Sequence, residues 1–187
     1  MRRVAAWVGV TVAAFLLVGG ALHFPGTLDD VGLEPGPLIL GGLTGLLIGA
    51  AQLFALRGVL SRPWLWPGAT AIGMAITHAM GDGVSTTTGY VPVAVVGGFA
   101  TGVLQAAVLR RPLWAVATAG AFVIGIAGGY ALAFAMGFNS IFSDDTNARY
   151  LILLGLTSVL YALFTAPLFA QIRPEERLPI LASDGAA

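Results

Sequence analysis

The sequence predicts an all-α, polytopic membrane protein: a bundle of six transmembrane helices containing two parallel helical-hairpin repeats, with both termini cytoplasmic. Three observations carry this expectation. Hydrophobic residues make up 57% of the 187-residue chain and charged residues only 10%, far from the nearly half apolar, one-quarter charged balance of soluble domains. Six apolar stretches approach the roughly 20 residues that a helix needs to cross a hydrocarbon core. Arginines, finally, gather in alternate connections between those stretches.

The first stretch, Val4–Leu22, follows Arg2 and Arg3. Its end, Gly19-Gly20-Ala21, has the small residues of a signal-peptide cleavage site. The run exceeds the 7–15 residues of a usual signal core, however, and no A-x-A site follows, so a retained helix is expected. The second, Leu38–Leu56, begins just after Pro37 and is rich in glycine. Trp64–Met80 and Leu113–Met136, the third and fifth, each follow an Arg-Pro pair, Arg62-Pro63 and Arg111-Pro112. Val91–Leu109 and Tyr150–Ala170 complete the set, and residues 171–187 form a short tail. The connections leave no room for a separate soluble module, so residues 1–187 read as one transmembrane domain.

Charge gives the orientation, because basic residues near helix ends resist translocation. All nine basic residues are arginine. Arg2, Arg3, Arg57, Arg62, Arg110, Arg111, Arg173 and Arg177 fall on one side, the cytoplasmic one. Only Arg149 falls on the other, with Asp29, Asp30, Glu34, Asp82, Asp144 and Asp145. Trp7, Trp64, Trp66 and Trp114 at inner boundaries, and Tyr90 and Tyr150 at outer ones, fit an interfacial aromatic belt.

Two segments repeat. Gly45, Gly49, Gln52 and Leu56 are spaced four, three and four apart, which puts them on one narrow helix face. Gly98, Gly102, Gln105 and Leu109 reproduce that face. Each is followed by Arg, an Arg-Pro turn, Trp and Ala-Thr-Ala, giving repeats over about residues 41–81 and 94–137. Both run outside to inside and back, so the expected relation is a pseudo-twofold axis along the membrane normal. The pattern GxxxGxxQxxxLR resembles that of the uncharacterised small multi-pass membrane proteins of bacteria that carry such tandem repeats. The resemblance covers about residues 41–125 and departs from it at Leu53 and Ala106, where tryptophan is typical. It implies the repeated hairpin architecture and no particular activity.

Small-xxx-small faces let helix backbones approach closely, and buried amides hydrogen-bond across such contacts. The expected packing sets Gly41, Gly45 and Gly49 against Gly98 and Gly102, bringing Gln52 and Gln105 together near the axis. A second reading makes these residues a solute site, with Gln52, Gln105, Thr70, Thr118 and Tyr130 lining a passage. Arg57 and Arg110 read as snorkelling interface anchors, with anionic lipid as the alternative partner.

His78 lies one turn from Asp82 and His23 closes the first stretch, but neither belongs to a recognised metal or haem spacing. No metal, cofactor or nucleic acid is expected. Lysine and cysteine are absent, which excludes Schiff-base chemistry, thiolate catalysis and iron–sulfur ligation. No carboxylate falls within a stretch, so ion-coupled transport is disfavoured. The sequence therefore favours a non-catalytic structural or accessory subunit of the bacterial cell membrane, whose partners are the bilayer and a second copy or another membrane protein. A facilitator for a neutral or lipophilic solute is the first alternative, and a cofactor-binding protein using His23 and His78 the second.

Reporter fusions at residue 60 and after residue 177 should read cytoplasmic, and fusions near residues 30 and 145 should read outside. A cytoplasmic signal near residue 145 would remove the sixth span.

Overall fold

A computed structural model describes residues 1–23, 36–81, 87–135 and 146–172. Six helices account for nearly all of them: α1 (Arg2–His23), α2 (Pro37–Gln52), α3 (Leu65–Gly81), α4 (Thr87–Leu109), α5 (Leu113–Ala135) and α6 (Thr146–Ala170). No strand occurs among the described residues. Each helix coincides with one of the six apolar stretches, to within a few residues at either end. Two segments, Arg2–Leu22 and Val91–Leu109, are long and apolar enough to cross a membrane. Pro37–Gln52, Leu113–Gly129 and Leu154–Ala170 are shorter apolar helices. Asp29, Asp30, Glu34, Asp82, Asp144, Asp145, Arg173 and Arg177 lie outside the described residues, as do the side chains of His23, Tyr90, Tyr130, Arg149 and Tyr150.

The helices form a closed ring in which each packs against the next and α6 returns to α1. Neighbours are antiparallel. Along α1 and α6, Arg3 meets Ile172, Trp7 meets Thr165, and Gly19 meets Leu154. The starts of α1, α3 and α5 and the ends of α2, α4 and α6 therefore share one end of the ring. Arg3 Nη1 donates to the Ile172 carbonyl at 3.3 Å, which brings the first turn of the chain to the close of the last helix.

Local chemistry accounts for the boundaries. Pro37 opens α2 at its first position, where a missing N–H costs nothing. The α2 helix stops four residues earlier than its apolar run suggests. Beyond Gln52 the backbone tightens into short-range turns, Phe54 N–H to Ala51 and Ala55 N–H to Gln52, before Gly58 reverses direction at φ +72°. The α4 helix ends in a Schellman turn: Arg110 takes φ +54°, and the Arg111 N–H reaches back to the Ala106 carbonyl at 3.0 Å.

The glycine faces do not meet each other, contrary to the packing expected from the sequence. Each seats its own hairpin partner. A methyl group at Gly45 would lie 2.8 Å from Ala71 Cα, and one at Gly49 2.8 Å from Pro67 Cα, both on α3. At Gly98 it would lie 2.7 Å from Phe122 Cβ and at Gly102 2.7 Å from the Ala115 carbonyl, both on α5. Periodicity defines a face but not the neighbour that fills it. Short connections make the neighbour the next helix in sequence.

Replacing Gly45 or Gly102 by alanine should therefore cost about 1–3 kcal/mol, the usual penalty of overpacking against backbone. Gly68, whose added methyl would meet nothing within 4 Å, should accept alanine without loss. Unfolding in detergent micelles checks the contrast; equal tolerance at all three positions would contradict the seams.

Candidate functional site

Three related clusters of buried polar side chains lie at the end of the ring that carries the arginines. In the first hairpin, Gln52 near the end of α2 accepts from the Trp66 indole Nε1 at 3.0 Å, and its Nε2 donates to Thr11 Oγ1 on α1 at 3.2 Å. The second hairpin repeats the arrangement. Gln105 accepts from Trp114 Nε1 at 2.9 Å and donates to Thr70 Oγ1 on α3 at 3.0 Å. Both amides are 1% exposed. Each bridges two contacts at once, one within its hairpin and one to the preceding hairpin.

A third cluster joins the first and last helices. Trp7 Nε1 donates to Thr165 Oγ1 at 3.0 Å, joining α1 to α6. Thr165 spends its own proton on the carbonyls of Tyr161 (3.0 Å) and Ala162 (3.2 Å). Thr118, on α5, occupies the place of Thr11 and Thr70. No amide reaches it; its buried hydroxyl has no partner in hydrogen-bond geometry, although the Tyr161 phenol interacts with it.

The three indoles pack edge to face around a common centre. Their centroids lie 6.3 Å (Trp7–Trp66), 5.6 Å (Trp7–Trp114) and 6.0 Å (Trp66–Trp114) apart, with interplanar angles of 65–75°. Phe169 stacks on Trp7 at 4.8 Å. This corrects the aromatic belt inferred from the sequence: Trp7 and Trp66 are fully buried and Trp114 is 1% exposed, and only Trp64 faces outward, at 70%. A tryptophan near a helix end satisfies the belt rule equally well pointing in or out, and amphipathic indoles are common in both places.

Gln52 and Gln105 do not pair with each other. Their link is indirect, from Gln105 through Thr70 to the Trp66 carbonyl (2.9 Å) and from the Trp66 indole to Gln52. The signal for the third cluster is present in the chain, because Trp-x-x-x-Thr occurs at Trp7–Thr11, Trp66–Thr70 and Trp114–Thr118. On the partner helix, Ser158, Ala162, Thr165 and Phe169 keep the spacing of Gly45, Gly49, Gln52 and Leu56 with different residues. Those substitutions hide α6 from a search for GxxxGxxQ.

His78 covers Gly41 on α2 and its Nδ1 donates to the Met74 carbonyl at 3.0 Å. No group of three or more His, Cys, Asp or Glu residues able to hold a metal occurs among the described residues. Arg57 and Arg110 are exposed; the Arg57 guanidinium lies 5.0 Å from the Phe54 ring centroid. No protein family matches the chain by sequence profile, and no curated protein or solved structure is significantly similar to it.

Gln52→Leu should cost about 1–3 kcal/mol, since it strands the buried Trp66 N–H and the Thr11 hydroxyl. In double-mutant cycles on micelle unfolding, Gln52 should couple to Trp66 (as Trp66→Phe) more strongly than to Gln105, and Thr118→Val should be milder than Thr70→Val. Stronger coupling between the two glutamines than between Gln52 and Trp66 would contradict the observed partners.

Proposed function

We propose that the chain is an integral membrane protein whose six helices all cross the bilayer, arginine-rich end in the cytoplasm, acting as a non-catalytic structural or accessory subunit. The supporting observation is an inverted distribution of polarity. Thr11, Thr44, Gln52, Thr70, Thr101, Gln105, Thr118, Ser158 and Thr165 are buried, while Leu17, Leu43, Leu47, Ile72, Phe99, Val116 and Leu163 are among many large apolar side chains left exposed. Water would penalise that surface, whereas hydrocarbon favours it and makes internal pairing of the polar groups obligatory. The hydroxyls of Thr44, Thr70, Thr77, Thr101 and Thr165 all bond the carbonyl one turn back, a self-contained solution suited to lipid.

The non-catalytic reading draws on the same chemistry. The amides of Gln52 and Gln105 and the hydroxyl of Thr70, which would bind a solute or support a reaction, are already bonded to neighbouring side chains and backbone. The facilitator alternative needs Gln52, Gln105, Thr70, Thr118 and Tyr130 to line a passage; the hydrogen bonds of Gln52, Gln105 and Thr70 point instead into packed helix contacts, Thr118 is buried with no exposure, and the Tyr130 side chain lies outside the described residues. An accessory protein needs only an apolar outer surface to pack against its partners, and many large apolar side chains are exposed here.

Three measurements test this reading. After alkaline extraction the protein should remain in the membrane fraction. Because the native chain lacks cysteine, a single Ser61→Cys variant should react with an impermeant maleimide only once the membrane is opened. Native mass spectrometry after gentle solubilisation should then show a stoichiometric second copy or membrane partner. A lone monomer that carries a solute into proteoliposomes, with flux abolished by Gln52→Leu at unchanged stability, would replace the accessory role with the facilitator.

A further inference from the structure

The two hairpins differ where they turn at the arginine-rich end. Between α2 and α3 the chain runs through short turns from Leu53 to Trp64 and encloses an open groove of about 810 Å³. Leu53, Leu56 and Leu60 supply apolar walls, and Arg57, the Gly58 backbone and Ser61 supply polar ones. The turn between α4 and α5 is only Arg110, Arg111 and Pro112. The cavity there, about 160 Å³, is lined by Arg111, Pro112 and Trp114 with the end of α6, and Arg110 takes no part in it.

From these differences we infer that the Arg57 groove is a specific seat for one anionic glycerophospholipid, its phosphate held by the Arg57 guanidinium and the Ser61 hydroxyl. Three observations select that occupant. Arg2, Arg3, Arg57, Arg62, Arg110 and Arg111 all lie at this end, a local concentration of basic side chains that attracts an anion. The face of Phe54 beneath Arg57 restrains the guanidinium by a cation–π contact and leaves its N–H groups for a phosphate. Finally, Leu43 and Leu47 on α2 and Phe54 in the turn beyond it, 44%, 46% and 58% exposed, offer apolar surface beside the groove for an acyl chain. Arg110 has neither groove nor restraining ring and remains a generic anchor.

This inference rests on the membrane reading above. The test uses native mass spectrometry of the full chain in mild detergent with added phosphatidylglycerol or phosphatidylcholine. The wild type should retain one phosphatidylglycerol in preference to phosphatidylcholine. Arg57→Gln should reduce that retention about five- to tenfold, the scale of one basic residue at an anionic surface. Arg57→Lys should restore part of it, and Arg110→Gln should leave it within about twofold. Unchanged micelle unfolding verifies that each variant is folded. Equal retention of the two lipids, indifference to Arg57→Gln, or displacement of the lipid by millimolar inorganic phosphate would each overturn the seat. So would occupation of the groove by a second copy, or by the carboxylates of Glu175 and Glu176, seen as crosslinks from position 61. A protein that stays in the alkaline-extracted membrane yet shows no lipid preference refutes the seat while leaving the membrane reading intact.

Discussion

The need of each buried indole N–H for an acceptor is the constraint on which this structure depends. Three tryptophans converge inside one end of the ring, and each must give its proton to something in an interior from which water is excluded. Gln52, Gln105 and Thr165 supply the three acceptors. Once they do so, the relative height of each pair of helices is fixed, because a shift of one residue would carry the indole about 1.5 Å along its partner and break the bond. The network thus sets register, a task that uniform apolar packing performs poorly.

Close approach of the backbones makes those bonds reachable. Gly45 and Gly49 on α2, and Gly98 and Gly102 on α4, let the following helix approach until backbone touches backbone. At that separation a glutamine side chain spans both its own hairpin and the next. Glycine costs helix propensity and conformational entropy, and the return is van der Waals contact along the seam.

Much of this was legible in the chain. The six apolar runs locate six helices, and the arginine pattern places the starts of α1, α3 and α5 at the same end as the finishes of α2, α4 and α6. The repeated glycine–glutamine face marks buried positions correctly at Gly45, Gly49, Gln52, Gly98, Gly102 and Gln105. What was not legible was partnership. A helical period names the residues that share a face, yet whether Gly49 meets Gly102 or Pro67 is decided by loop length and ring closure. Trp7 was misread for a related reason, since its place at a helix end is compatible with either environment and only the position of Thr165, 158 residues away, distinguishes them. The early finish of α2 follows from tightening after Gln52, which leaves no mark in composition.

Glutamine suits the bridging position for a reason that its absence from α6 makes visible. It carries an acceptor and two donors on one flexible stem, so Gln52 accepts from Trp66 and still donates to Thr11, and Gln105 accepts from Trp114 and still donates to Thr70. Leucine would strand both neighbours, and a carboxylate would bring a charge into the interior. Threonine performs half of the task. Thr165 accepts from Trp7, but its single proton returns to its own helix, so nothing crosses from that cluster to Thr118 as an amide does elsewhere. The α5–α6 contact relies instead on shape. Gly125 lies where an added methyl would sit 3.0 Å from the Thr157 carbonyl, and Phe122 packs edge to face on Tyr161 at 5.4 Å. Two of the three hairpin junctions, α1–α2 and α3–α4, are therefore joined by polar bridges, and the third is closed by apolar and aromatic packing with the Tyr161 phenol beside the unbridged Thr118 hydroxyl.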